Sequence, residues 1–132
     1  MSFMSRAELF LTNQGSLSGD PNVDIMIDTV KYLLDNAIGY QNRKSTKVIY
    51  RELKIKYKRM KNKEYWQNNV LNKLRDVGIF IGSKIGGGGG IFLIETKEDA
   101  EIVQGSYKHR IGKEQSHLDE LERQMKEANW LQ

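Results

Sequence analysis

The chain has 132 residues, enough for one modest core, with 39% hydrophobic and 29% charged residues and a net charge of +4. It contains no cysteine, which excludes disulfides and Cys-based zinc sites, and it has no run of about 18 apolar residues of the kind a membrane-spanning helix needs. The small net charge conceals a block pattern: residues 41–90 carry 13 Lys/Arg against 3 Asp/Glu, whereas residues 1–40 and 91–132 are each net −3.

The opening Met1-Ser2-Phe3-Met4-Ser5-Arg6 lacks the basic-then-apolar pattern of a secretory leader, so a cytoplasmic, nucleoid-associated location is expected. Residues 1–19 show weak periodicity and end in Asn13-Gln14-Gly15-Ser16-Leu17-Ser18-Gly19, which reads as an N-terminal arm. Asp20 as cap and Pro21 as first helical residue mark a helix start. Val23, Met26, Ile27, Val30, Leu33, Leu34, Ala37 and Ile38 then form an amphipathic stripe that stops at Gly39. A polar turn with Ser45 or Thr46 as cap leads to a second helix through Tyr57, with Val48, Ile49 and Leu53 turned inward. Asn62 caps a third helix to Val77, whose stripe is Trp66, Val70, Leu71, Leu74 and Val77, and Gly78 terminates it. Ile79–Ile85 and Ile91–Glu95 are strand-like runs around the five glycines 86–90, a hairpin pattern. Thr96 and Asp99 have the spacing of a capping box. One long helix to about Trp130 should follow, with Tyr107, Ile111, Leu118, Leu121 and Met125 as a heptad dimerisation seam interrupted by Glu114.

Helix, short basic helix, turn, helix and hairpin, with the phrase Leu74-Arg75-Asp76-Val77-Gly78-Ile79-Phe80-Ile81 leading into the first strand, resemble the winged helix-turn-helix family over residues 20–95. The resemblance implies a mostly α, α+β fold of three helices plus a β-hairpin wing. It makes residues 1–19 an arm, 20–95 the winged-helix domain and 96–132 a dimerisation helix of the kind added to small bacterial and mobile-element regulators. It also implies binding to double-stranded DNA as a homodimer, in the role of a transcriptional regulator or a phage or plasmid replication or maintenance factor. The pattern departs from the family at the wing tip, which is bare glycine with only Lys84 nearby.

Such proteins lay the third helix in the major groove. At 100° per residue Tyr65, Asn68, Asn69 and Asn72 fall on its outward face, and Asn can pair with adenine through two hydrogen bonds. Backbone phosphates would be met by Lys54, Lys58, Arg59, Lys61 and Lys63, which lie in a stretch (53–63) with six cations and no acid, and further by Arg43, Lys44, Lys47 and Lys84.

The five glycines do not make a nucleotide-binding loop, because a strand follows them instead of Lys-Ser/Thr and a helix. His109 and His117 stand eight apart without a third ligand, and no catalytic set can be assembled. Neither enzyme activity nor a cofactor or metal is expected. A winged-helix adaptor for another protein and an RNA or single-strand binder remain open alternatives.

Overall fold

The computed structural model describes residues 1–83, 89–109 and 115–131. Among these the chain is mostly helical, with one two-stranded antiparallel sheet.

Helix α1 spans Phe3–Phe10 and is capped by Ser2, whose Oγ accepts the Ser5 N–H at 3.0 Å. Phe3, Ala7 and Phe10, at i, i+4 and i+7, form its buried stripe. The expected arm is thus corrected over its first half: a short stripe that includes an alanine is enough when two cores wait for it. A 3₁₀ turn at Gly15–Leu17 follows.

Helix α2 spans Val23–Asn36, with Asn22 as N-cap. The start falls later than Asp20 and Pro21 suggest because the Asp20 carboxylate folds back onto the Asn22 N–H at 2.8 Å. A 3₁₀ turn at Tyr40–Asn42 leads to α3, Thr46–Lys56. Ser45 stands at its N-cap without a side-chain capping bond. Ile49, Leu53 and Tyr57 are buried, but Val48, expected inward, is 45% exposed.

The third helix is a rod over residues 63–76, made of α4 (Lys63–Trp66), a π turn (Gln67–Leu71) and α5 (Asn72–Asp76). Asn62 caps it as expected, accepting the Tyr65 N–H at 2.8 Å. Trp66, Val70, Leu71 and Leu74 are buried, whereas Val77, read as part of the stripe, is 39% exposed. The chain leaves the helix there through Gly78, whose φ of +88° suits glycine alone.

Strands β1 (Ile81–Ser83) and β2 (Ile91–Leu93) pair with Ile81 opposite Leu93 and Ser83 opposite Ile91. The free edge of β2 is met by two isolated backbone bridges, from Ile38 and Lys44. Ile79, Ile81, Ile91 and Leu93 join the core formed with α2, α3 and the rod. Phe80, Phe92 and Ile94 join a second core with Ala100, Val103, Leu121 and Met125. Side chains alternate across a strand, so runs apolar at every position belong to a sheet buried on both faces. α1 contributes to both cores: Phe10 sits in the first, and Phe3 stacks on Trp130 in the second at 5.7 Å.

The Thr96–Asp99 capping box forms, with the Asp99 N–H on Thr96 Oγ1 at 3.2 Å and the Thr96 N–H on Asp99 Oδ2 at 3.1 Å. Asp99 also accepts the Tyr40 N–H at 2.9 Å, which ties this cap to the turn after α2. The single long helix is corrected. α6 spans Lys97–His109, α7 spans Gln115–Glu127, and they pack antiparallel, with Gln104 bonded to Glu122 at 2.5 Å and the Tyr107 ring 6.2 Å from His117. Tyr107, Leu118, Leu121 and Met125, the expected dimerisation seam, are all buried in the second core of the same chain. A heptad stripe states that a helix has an apolar partner, and here α6 and the sheet are that partner. Ile111, Glu114 and Lys84 lie outside the described residues.

Gly82 marks the closest approach of sheet and helix: a Cβ there would lie 2.4 Å from Val103 Cγ2 and 2.9 Å from Phe92. Gly82→Ala should therefore cost about 1–3 kcal/mol in denaturant unfolding. Gly105→Ala, on the exposed face of α6 with nothing within 4 Å of the added Cβ, should instead stabilise by about 0.5–1 kcal/mol. Leu121→Asp should prevent cooperative folding, seen as loss of the thermal transition, because Leu121 is 0% exposed. A folded monomer of that variant would refute the burial of α7.

Candidate nucleic-acid interface

The rod is held from behind by its own indole: Trp66 is fully buried and its Nε1–H donates to Thr29 Oγ1 of α2 at 3.3 Å. That anchor leaves the opposite side of the rod facing a groove of about 310 Å³ between the start of α3, the rod and the hairpin. Thr46, Gln67, Asn68, Asn72 and Arg75 line it, together with Ser83 and the backbone of 89–91.

Of the four residues expected to read bases, the structure brings two to this groove. Asn68 is exposed in it. Asn72 lies one turn on, and its Oδ1 accepts a hydrogen bond from Arg75 at 3.2 Å. Tyr65 and Asn69 lie outside this groove. The Tyr65 hydroxyl is bonded to the Asn22 side chain at the start of α2, and the Asn69 Nδ2 donates to the Tyr65 carbonyl at 3.0 Å.

Gln67 was not expected there. On a regular helix it falls inside the buried arc of Trp66, Leu71 and Leu74. The wider turn that begins at Gln67, in which the Asn72 N–H bonds back to the Gln67 carbonyl, carries it to the groove edge. Thr46, read mainly as a capping residue, and Arg75, whose Nε is fixed on the Ile81 carbonyl at 2.7 Å, also belong to the groove. No local sequence pattern announces a π turn.

The cations divide into two sets. The acids of α2 and its approach take three of them: Asp20 pairs with Lys73 at 2.7 Å, Asp24 with Arg59 at 2.5 Å and Asp28 with Lys56 at 2.8 Å. Arg59, expected as a backbone contact, therefore points to α2, and its guanidinium also lies over the Tyr57 ring at 5.4 Å. Arg43, also expected as a backbone contact, likewise has partners within the chain. It donates to the Gly89 and Tyr40 carbonyls at 3.1 and 3.2 Å and lies over the Tyr40 ring, so it secures the hairpin.

The second set has no acid partner among the described residues. Lys44, Lys58 and Lys61 are exposed. Lys47, Lys54 and Lys63 meet, with Arg51, around Tyr50 in a cleft between α3 and α4. Lys54 Nζ donates to the Lys58 carbonyl at 3.0 Å and also to the Met60 carbonyl.

Burial raises the Asp28 carboxyl, but hydrogen bonds from Lys56 and Tyr57 and the Lys56 charge outweigh it and leave the group below its ordinary value of 3.8. Asp20 behaves alike, with Lys73 and the Asn22 N–H outweighing burial. Tyr57 is pushed up by burial and by its bond to Asp28.

His117 is bonded to Asp76 at 2.5 Å, joining α7 to the end of the rod. Among the described residues no three His, Cys, Asp or Glu side chains cluster as metal ligands, and no helix is long and apolar enough to cross a membrane. Comparison of the chain with protein-family models, curated proteins and solved structures finds no match.

The depressed carboxyls of Asp20 and Asp28 stabilise the fold fully above pH 3.8, their ordinary value, and that stabilisation is lost as pH falls below it through their folded-state values. Thermal unfolding measured from pH 6 down to pH 2 should show this loss. Asp28→Asn should lower the melting temperature at pH 6 and reduce its fall at acid pH; an unchanged acid limb would remove the α2 clamp from the account.

Proposed function

We propose that the chain is a double-stranded DNA-binding protein of the winged helix-turn-helix type, which lays the rod of residues 63–76 in the major groove. One observation carries this reading. The amides of Gln67, Asn68 and Asn72 line a single groove, and the cleft of unpaired cations adjoins it, since Lys63 of the cleft and Gln67 of the groove stand one helical turn apart, about 5–6 Å. Asn and Gln side chains match the N6/N7 edge of adenine, and Lys and Arg match phosphate. The α2 acids, meanwhile, draw the other cations to a different side.

The order α2, α3, rod and hairpin supports the architecture, as do the bridges from Ile38 and Lys44 that extend the sheet beyond β2. The hairpin departs from a free-standing wing because both of its faces are buried. Binding of this kind suits a transcriptional regulator or a replication or maintenance factor. With Leu118, Leu121 and Met125 inside the core, one chain per site is the expected stoichiometry, to be read from sedimentation of the complex.

Selection from a random duplex pool at about 0.15 M salt should recover a short site containing adenine, because non-specific phosphate binding is weak there. Asn68→Ala should relax preference at one base pair by about 1–3 kcal/mol, and Tyr65→Phe should leave preference intact. Recovery of no duplex would dismiss the proposal. Equal weakening of all sequences by Asn68→Ala would dismiss base reading by this groove.

A further inference from the structure

The cleft of about 380 Å³ between α3 and α4 is built from five side chains: Lys47, Tyr50, Arg51, Lys54 and Lys63. Lys47, Arg51 and Lys54 occupy i, i+4 and i+7 of α3 and therefore share one face. Lys63, the first residue of α4, approaches from the rod. Tyr50 is a fixed wall, with its ring 6.3 Å from that of Trp66 and its hydroxyl donating to the Met60 carbonyl at 3.3 Å. Lys54 is held by the carbonyls of Lys58 and Met60, so its charge is placed without being neutralised.

Among the described residues no carboxylate lines the cleft. Glu52, the acid of α3, acts on Tyr32 of α2, whose hydroxyl is raised first by burial and then by that charge. The acids Asp20, Asp24 and Asp28 are taken by Lys73, Arg59 and Lys56. Four cationic side chains lining one depression are complementary to an extended anion. Arg51 adds a planar fork of donors suited to phosphate oxygens.

We propose that this cleft is a phosphate site, filled by the phosphodiester backbone of one DNA strand, with Arg51 and Lys63 as its main contacts and Lys54 as a fixed charge beside them. The source of the phosphate rests on the duplex-binding reading above. The cleft itself stands on its own geometry.

The test is the salt dependence of duplex binding by the full chain and by Arg51→Ala, Lys63→Ala, Lys56→Ala and Lys73→Ala. Each phosphate contact contributes about −0.9 to the slope of log K against log salt. Arg51→Ala and Lys63→Ala should each reduce the slope's magnitude by about 0.9 and weaken all duplexes by the same factor, with Arg51→Lys restoring the slope. Lys56→Ala and Lys73→Ala, at cations held by Asp28 and Asp20, should leave the slope in place. The reverse pattern would overturn the cleft and leave duplex binding standing. Should the wild type bind no duplex, the DNA source is overturned, and titration with tripolyphosphate then judges the cleft by NMR. Movement of the Tyr50 ring resonances that Arg51→Ala abolishes would uphold a phosphate site, and unmoved resonances would overturn it.

Discussion

A sheet of two strands with three residues each cannot hold itself together in water. Its burial on both faces is the constraint on which the rest of this molecule depends. Ile81, Ile91 and Leu93 on one face require the layer of α2, α3 and the rod; Phe80, Phe92 and Ile94 on the other require α6 and α7. Each layer is thereby held against a common wall, and α1 closes the arrangement by placing Phe3 in one core and Phe10 in the other. Gly82 lets the second layer approach, since any larger residue would meet Val103 and Phe92. The rod's position relative to the hairpin, and with it the shape of the proposed groove, follows from this packing.

The charges are organised by the same packing. α2 lies across α3 and the rod, so its acidic edge reaches Lys56, Arg59 and Lys73. Exposed pairs of this sort contribute little stability each. Their consequence is spatial, because they engage Lys56, Arg59 and Lys73, while Lys47, Arg51, Lys54 and Lys63 line the cleft between α3 and α4. The +4 net charge of the whole chain does not describe this distribution.

Much of the architecture was legible from local chemistry. The Asn62 cap, the Gly78 stop, the Thr96–Asp99 box and the continuous apolar runs on either side of the glycines are each read within a few residues. The site was half legible. Asn68 and Asn72 follow from helical spacing, but Gln67 depends on a π turn, and Tyr65 was lost to a hydrogen bond with Asn22, 43 residues away. Arg43 and Arg59 were equally unreadable, since their partners Gly89 and Asp24 are distant in the chain.

The amino-acid order alone therefore determined the helices of the middle of the chain, the two strand segments, several of the caps and stops, and that the middle of the chain is cationic. Those properties arise from side chains acting on their own backbone within a turn or two. Tertiary structure decided which partner each apolar stripe found, turning an expected intermolecular seam at Leu118, Leu121 and Met125 into an intramolecular hairpin. It also decided which cations stayed unpaired. Periodicity and charge state that a partner is required, and only the packed chain, by what it brings within a few ångströms, says which one.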